Sequence, residues 1–149
     1  MTTSVHEVGA PVGTLVEIRD LFFNMPARRK FLKSDRAESA RVSKLVTQLA
    51  LGYPEVGFSF KSSGRKVVQC SPVKTVTERF YQLYGDRPDL LEVQKKVGEI
   101  AISGYVAALA NQRPSRGPQN IFVNRRIVKD RTVAHAIIDS YLSLIHISE

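Results

Sequence analysis

Two groups of cations hold most of the chemistry this sequence offers. Arg28, Arg29, Lys30, Lys33, Arg36, Arg41 and Lys44 share their window with only Asp35 and Glu38. Arg113, Arg116, Arg125, Arg126, Lys129 and Arg131 share theirs with only Asp130. Cations at this density neutralise phosphates and release counterions, so they grip a polyanion backbone without reading its bases. The formal charge of +8, from 22 Lys and Arg against 14 Asp and Glu, favours an anionic partner in the same way. A basic face that is merely solvated is the competing reading. Other chemistries find no support. His6, His135 and His146 are scattered, with no metal-ligand spacing to another His, Cys or paired carboxylate. Cys70 is the single cysteine, so there is no disulfide framework and no metal-ligand pair. Neither Gly-x-x-x-x-Gly-Lys nor Gly-x-Gly-x-x-Gly occurs, and no Ser or Cys nucleophile has a recognisable base partner.

The elements that must carry these residues can be read along the chain. Residues 1–12 are a polar connector. Thr14, Val16 and Ile18 alternate with Leu15, Glu17 and Arg19, the period-two pattern of a half-buried strand. Asn24-Met25-Pro26 then turns the chain, since proline pushes Met25 toward extended geometry and itself suits a first helical position. A basic helical turn follows. Asp35-x-x-Glu38 has capping-box spacing for a second helix whose Val42, Leu45, Val46 and Leu49 face inward, with Gly52 as its stop and Pro54 preventing resumption. Residues 56–60 and 66–70 flank Ser62-Ser63-Gly64-Arg65, a hairpin, with Cys70 a small buried side chain.

Ser71-Pro72 reads as a boundary. Beyond it Thr75-x-x-Glu78 opens a helix with Val76, Phe80 and Leu83 inward and Gly85 as its stop. Residues 86–89 are a turn, residues 90–96 and 99–108 are strands, and residues 111–118 are a mobile basic loop. Residues 119–123 and 126–129 pair across Asn124-Arg125, where a two-residue hairpin turn requires a costly positive φ at Arg125, leaving the turn type open. Asp130 caps a last helix with Val133, Ile137 and Tyr141 aligned and His135 at its surface or the edge of the core. No apolar run approaches the ~18 residues of a membrane span, and the start lacks a secretory leader.

The run GT-x-V-x-I-x-x-LFFNMPARRKFLK at residues 13–33 resembles the box that closes the ATPase domain of the MutL family of DNA mismatch-repair proteins. A second run, NIFVNRRIVKDR at residues 120–131 with Ala134, His135, Ala136, Ile137 and Tyr141, is similar to a later segment of the same family. Bacterial relatives often carry Asn-Gly at the hairpin turn, although Arg also occurs there. Ser143 to Glu149 departs from the family pattern and reads as non-native sequence.

The resemblance implies an α+β chain. Residues 1–72 would be the C-terminal part of a Bergerat-type (GHKL) ATPase α/β sandwich. Residues 73–149 would open a ribosomal-protein-like transducer domain. It implies that Gly13 and Thr14 lie beside the adenine of ATP, and that Lys33 and Arg131, then Arg126 and Lys129, meet the phosphate backbone of DNA. Asn24, Pro26, Ala27 and Arg28 would shape the turn, with Arg28 in a structural hydrogen bond or ion pair. In such a protein ATP and Mg²⁺ drive dimerisation with a second MutL-like protomer, and a signal from MutS passes to strand nicking in the bacterial cytoplasm. The family's catalytic Glu and Mg²⁺-binding Asn, its Asp-x-Gly-x-Gly, its Gly-rich lid and its His-Pro-x-Lys segment have no counterpart here. The chain therefore reads as an internal piece of the N-terminal region, inactive in ATP hydrolysis alone. Two alternatives stay open: another ATPase of that superfamily, and a stand-alone basic nucleic-acid-binding module that needs no ATP.

Overall fold

The structure, a computed structural model, describes residue 7 and residues 9–87, 89–107 and 119–147. The expected loop at 111–118, with Arg113 and Arg116, lies outside these residues, as do His6 and Pro88. The chain divides into two units, residues 1–38 and 39–149.

In the first unit the expected strand does not form. Residues 14–19 run without regular structure and have no ladder partner among the described residues, leaving Leu15 94% and Ile18 73% exposed. Alternation alone makes a sheet-forming segment; a ladder needs a neighbour to receive its hydrogen bonds. The box after it is a pair of overlapping turns. The Phe23 N–H donates to the Asp20 carbonyl (2.9 Å) and the Met25 N–H to that of Phe22 (3.0 Å), with Asp20 and Phe22 both at positive φ. Met25 leaves the helical region (φ −132°), and Pro26 opens helix α1 (Pro26–Arg29), as the Met-Pro pair requires.

Helix α2 (Asp35–Gly52) starts one residue earlier in its capping than the Asp35-x-x-Glu38 spacing implies. Ser34 Oγ accepts from the Ala37 N–H (3.4 Å), while Glu38 Oε1 reaches back to the Lys33 N–H (2.9 Å).

In the second unit α2 turns a different face to the core than its leucines imply. Val46 and Ala50 pack against strands β1 (Phe58–Ser62) and β2 (Arg65–Cys70), whereas Val42, Leu45 and Leu49 are exposed. Small residues sit where the β1–β2 hairpin presses on the helix; Ser39 Oγ even meets Ser62 Oγ at 2.7 Å. The hairpin turns through Ser63 and Gly64, both at positive φ. Its antiparallel register pairs Phe58 with Cys70 and Phe60 with Val68, with a bulge after Phe60. Buried Ala50, Val68 and Cys70, with Val46, Phe58, Phe60 and Leu83 around them, form the core.

Helix α3 (Val76–Tyr84) carries the full capping box. Thr75 Oγ1 accepts from the Glu78 N–H (3.2 Å) and Glu78 Oε2 accepts from that of Thr75 (3.0 Å). Gly85 closes it at φ 72°. Val76 is exposed, Phe80 and Leu83 are half-buried, and the fully buried residue is Arg79. Strands β3 (Leu90–Val97) and β4 (Ile100–Ala107) form a second antiparallel hairpin. Phe80 stacks at 4.5 Å from Tyr84 and 5.4 Å from Tyr105, which ties α3 to β4. The third hairpin joins β5 (Ile121–Val123) to β6 (Arg126–Val128) and leads into helix α4 (Arg131–Ile147). Within residues 131–140 of α4, Ala134 and Ile138 are half-buried, while Val133, His135 and Ile137 are exposed; the expected inward position of Tyr141 lies outside the described side chains.

Candidate nucleic-acid interface

The second cationic group is built on the short β5–β6 hairpin. Asn124 (φ 47°) and Arg125 (φ 67°) are both left-handed, so the turn is of type I′. That conformation costs a non-glycine residue about 1–2 kcal/mol. Three contacts of the Arg125 guanidinium oppose the cost. Nε donates to the Gly52 carbonyl (3.0 Å), Nη2 pairs with Glu55 Oε1, and the group lies 4.7 Å from the centroid of the Tyr53 ring. The hydrogen bond contributes about 1 kcal/mol and the ring contact about 0.5–1 kcal/mol at an exposed site, enough to offset the strain.

Two more features seat the hairpin against the end of α2. Gln48, itself buried, donates from Nε2 to Asn120 Oδ1 (3.1 Å). Gly52 lets the chains approach: a Cβ there would lie 3.1 Å from the Arg125 carbonyl oxygen and 3.3 Å from Phe122 Cε1. Sequence reading makes Gly52 a helix stop; the structure adds a close approach. Leu45, Leu49, Tyr53, Phe122 and Ile127 then line a cleft of about 220 Å³ with Arg125 and Arg126 among its walls.

The loop after α2 is held from the other side by Arg79. Its Nη2 donates to the carbonyls of Pro54 (2.7 Å) and Val56 (2.6 Å), while Nε and Nη1 have no partner among the described residues. Glu55 thus sits between two arginines. Its own backbone N–H, then the Arg125 side chain, then the charges of Arg125 and Arg79 hold its carboxyl below the usual range. Sequence reading missed Arg79, Glu55, Tyr53 and Gln48. The one signal pointing at them was an arginine at a turn position that demands positive φ.

The predicted contacts are distributed as follows. Arg126, Lys129 and Arg131 are exposed within six residues of chain, at the hairpin and the first turn of α4. Asp130, the acid among them, caps that helix: its Oδ1 accepts from the Val133 N–H (2.9 Å). The cations therefore stand at a helix N-terminus, whose unpaired N–H groups add positive potential. Lys33, in the first unit, is exposed and contributes its backbone N–H to Glu38. Asn24, Pro26, Ala27 and Arg28 are exposed in the turn. The Arg28 guanidinium makes no hydrogen bond or ion pair among the described residues; its carbonyl accepts from the Phe31 N–H (3.0 Å).

Gly13 and Thr14 lie on the exposed segment of the first unit, and a Cβ at Gly13 would meet nothing within 4 Å. Among the described residues no three His, Cys, Asp or Glu side chains could hold a metal ion. Among them, no helix is long and apolar enough to cross a membrane.

Comparison with known proteins agrees along most of the chain. A family profile described as "DNA mismatch repair protein, C-terminal domain" matches residues 80–149. The DNA mismatch repair protein MutL of Acidobacterium capsulatum is 35% identical over 167 residues, covering 95% of this chain and 25% of that protein. MutL of Syntrophotalea carbinolica is 38% identical over 140 residues, covering 92% and 22%. Among solved structures, the Aquifex aeolicus MutL ATPase domain complexed with ADP superposes with a TM-score of 0.65 at 29% identity, over 79% of this chain and 45% of that one. The chain spans about a quarter of the length of the curated relatives it matches. Its mixed α and β elements correspond to the C-terminal part of that ATPase region, and the chain belongs to the MutL family of DNA mismatch repair proteins.

Proposed function

We propose that this chain supplies DNA-backbone contacts to a mismatch-repair protein of the MutL type, with Arg126, Lys129 and Arg131 as phosphate ligands on the second unit and Lys33 as a separate one on the first. The observation that carries the reading is the trio around the hairpin. Three exposed cations share one short stretch, and the acid beside them is committed to capping α4. Such a surface binds phosphates through charge and is indifferent to base sequence. The free-standing basic module has no observation in its favour beyond the net charge.

In the whole protein, Gly13 and Thr14 would form the adenine side of an ATP site whose base, Mg²⁺ ligands and lid come from elsewhere. Residues 1–72 would complete the nucleotide domain and residues 73–149 would open the transducer. Segment 14–19 would find its strand partner there. MutS, a second protomer and a cytoplasmic setting belong to the same reading.

The test is a salt titration of binding to a labelled duplex, followed by anisotropy between 50 and 200 mM NaCl. About three engaged phosphates give a slope of log affinity against log salt near −2.7. The double substitution K129A/R131A should weaken binding to matched and mismatched duplexes alike and bring the slope about 2 closer to zero. A flat salt response would remove the DNA reading.

A further inference from the structure

The geometry points to Arg125 and Glu55 as a positioning pair that sets the attitude of the β5–β6 hairpin, so that Arg126 and Lys129 reach a phosphate backbone. This rests on the DNA-binding reading proposed above and adds a residue pair to it. Arg125 is itself a cation in the basic run, and counting charges would make it another DNA ligand. Its surroundings argue otherwise. The guanidinium is turned back onto the protein, donating to the Gly52 carbonyl, pairing with Glu55 and lying over the Tyr53 ring. Asn-Gly would make the same turn without strain, so the arginine's side chain, not its backbone, is what the position uses.

Its anchor is itself tied down by hydrogen bonds. The Arg125 contacts fall on residues 52–55, and Arg79 from α3 grips the carbonyls of Pro54 and Val56 immediately alongside. Gln48 fixes the entry to the hairpin at Asn120, and Gly52 fixes the distance of approach. The residue after Arg125 is a proposed phosphate ligand, so a change in the hairpin's tilt moves Arg126 first. The interaction also has a sign that bulk electrostatics cannot mimic. Removing an acid from a basic surface ordinarily strengthens DNA binding. Removing Glu55 should weaken it, because the carboxylate holds Arg125 in place.

The experiment uses the full chain, a labelled duplex and four variants, R125G, R125K, E55A and E55Q. Circular dichroism and thermal melting check that each is folded. R125G keeps the hairpin turn and should bind DNA about tenfold more weakly, with a salt slope nearer zero because Arg126 is no longer held against its phosphate. E55A should also bind more weakly. The pair R125G/E55A should be no worse than R125G alone, as expected of groups acting as one unit. E55Q, which keeps an acceptor, and R125K, which keeps the charge but lacks the planar fork, should fall between. If E55A binds as tightly as wild type or tighter, Arg125 is an ordinary ligand and the positioning role is wrong. If wild type itself shows no salt-dependent binding, the DNA reading fails and takes this role with it.

Discussion

Gly52 separates two effects that usually act together. Inside a helix, replacing glycine by alanine favours folding by about 1 kcal/mol through propensity alone. Here the added methyl would stand 3.1 Å from the Arg125 carbonyl and 3.3 Å from the Phe122 ring. Overpacking of that kind costs about 1–3 kcal/mol, so Gly52→Ala should lower the urea-derived unfolding free energy by a net ~1 kcal/mol. A stabilised variant would mean that the hairpin does not rest on the helix end at that position. The sequence marks Gly52 only as the end of a periodic pattern, because the segment that crowds it, at Phe122 and Arg125, is about 70 residues further on. Arg79 was illegible for the same reason. An arginine between Glu78 and Phe80 reads as a solvated position, and only the carbonyls of Pro54 and Val56 bring it inside.

Caps and turns, by contrast, are local bargains between neighbours, and they could be read in advance. Thr75-x-x-Glu78, Gly85, Asp130 and Ser63-Gly64 all stand where the residue types direct, whereas the residue types leave open the type of the Asn124-Arg125 turn, left-handed at both residues. The α3 box has a pH signature. Glu78 accepts from the backbone N–H groups of Thr75 and Lys74, and these hold its carboxyl below the usual range. Glu55 and Asp89, the latter through Arg87, shift in the same direction. A carboxyl depressed in the folded state stabilises above its unfolded value and loses that contribution as pH falls through the folded one. Unfolding free energy should therefore hold steady from pH 7 to about 5 and drop below about pH 4.3. Glu78→Gln should shrink that acid drop, which urea titrations at a series of pH values would measure. The faces of α2 and α4 were less legible than their caps. Periodicity found the apolar stripe of α2, yet Val46 and Ala50 pack on the β1–β2 hairpin while Leu45 and Leu49 line the cleft.

Across the molecule, the fold family was legible because two long runs of uncommon residues specify it, whereas the packing was not. Among the described residues the core is Ala50, Val68 and Cys70 with four partly buried neighbours. Phosphoryl chemistry needs a positioned base and a metal to take up charge, and in the proposed reading both come from elsewhere in the whole protein. Purified chain should release no phosphate from Mg²⁺-ATP above a Thr14→Ala control, and turnover above that control would show a catalytic centre within these residues. The bare stretch at 14–19 has a further consequence for anyone handling the protein. Main-chain amides and carbonyls left without a mate accept another strand from any source, including a sister molecule in the same tube. Dilution, more than buffer choice, will decide whether such preparations stay monodisperse.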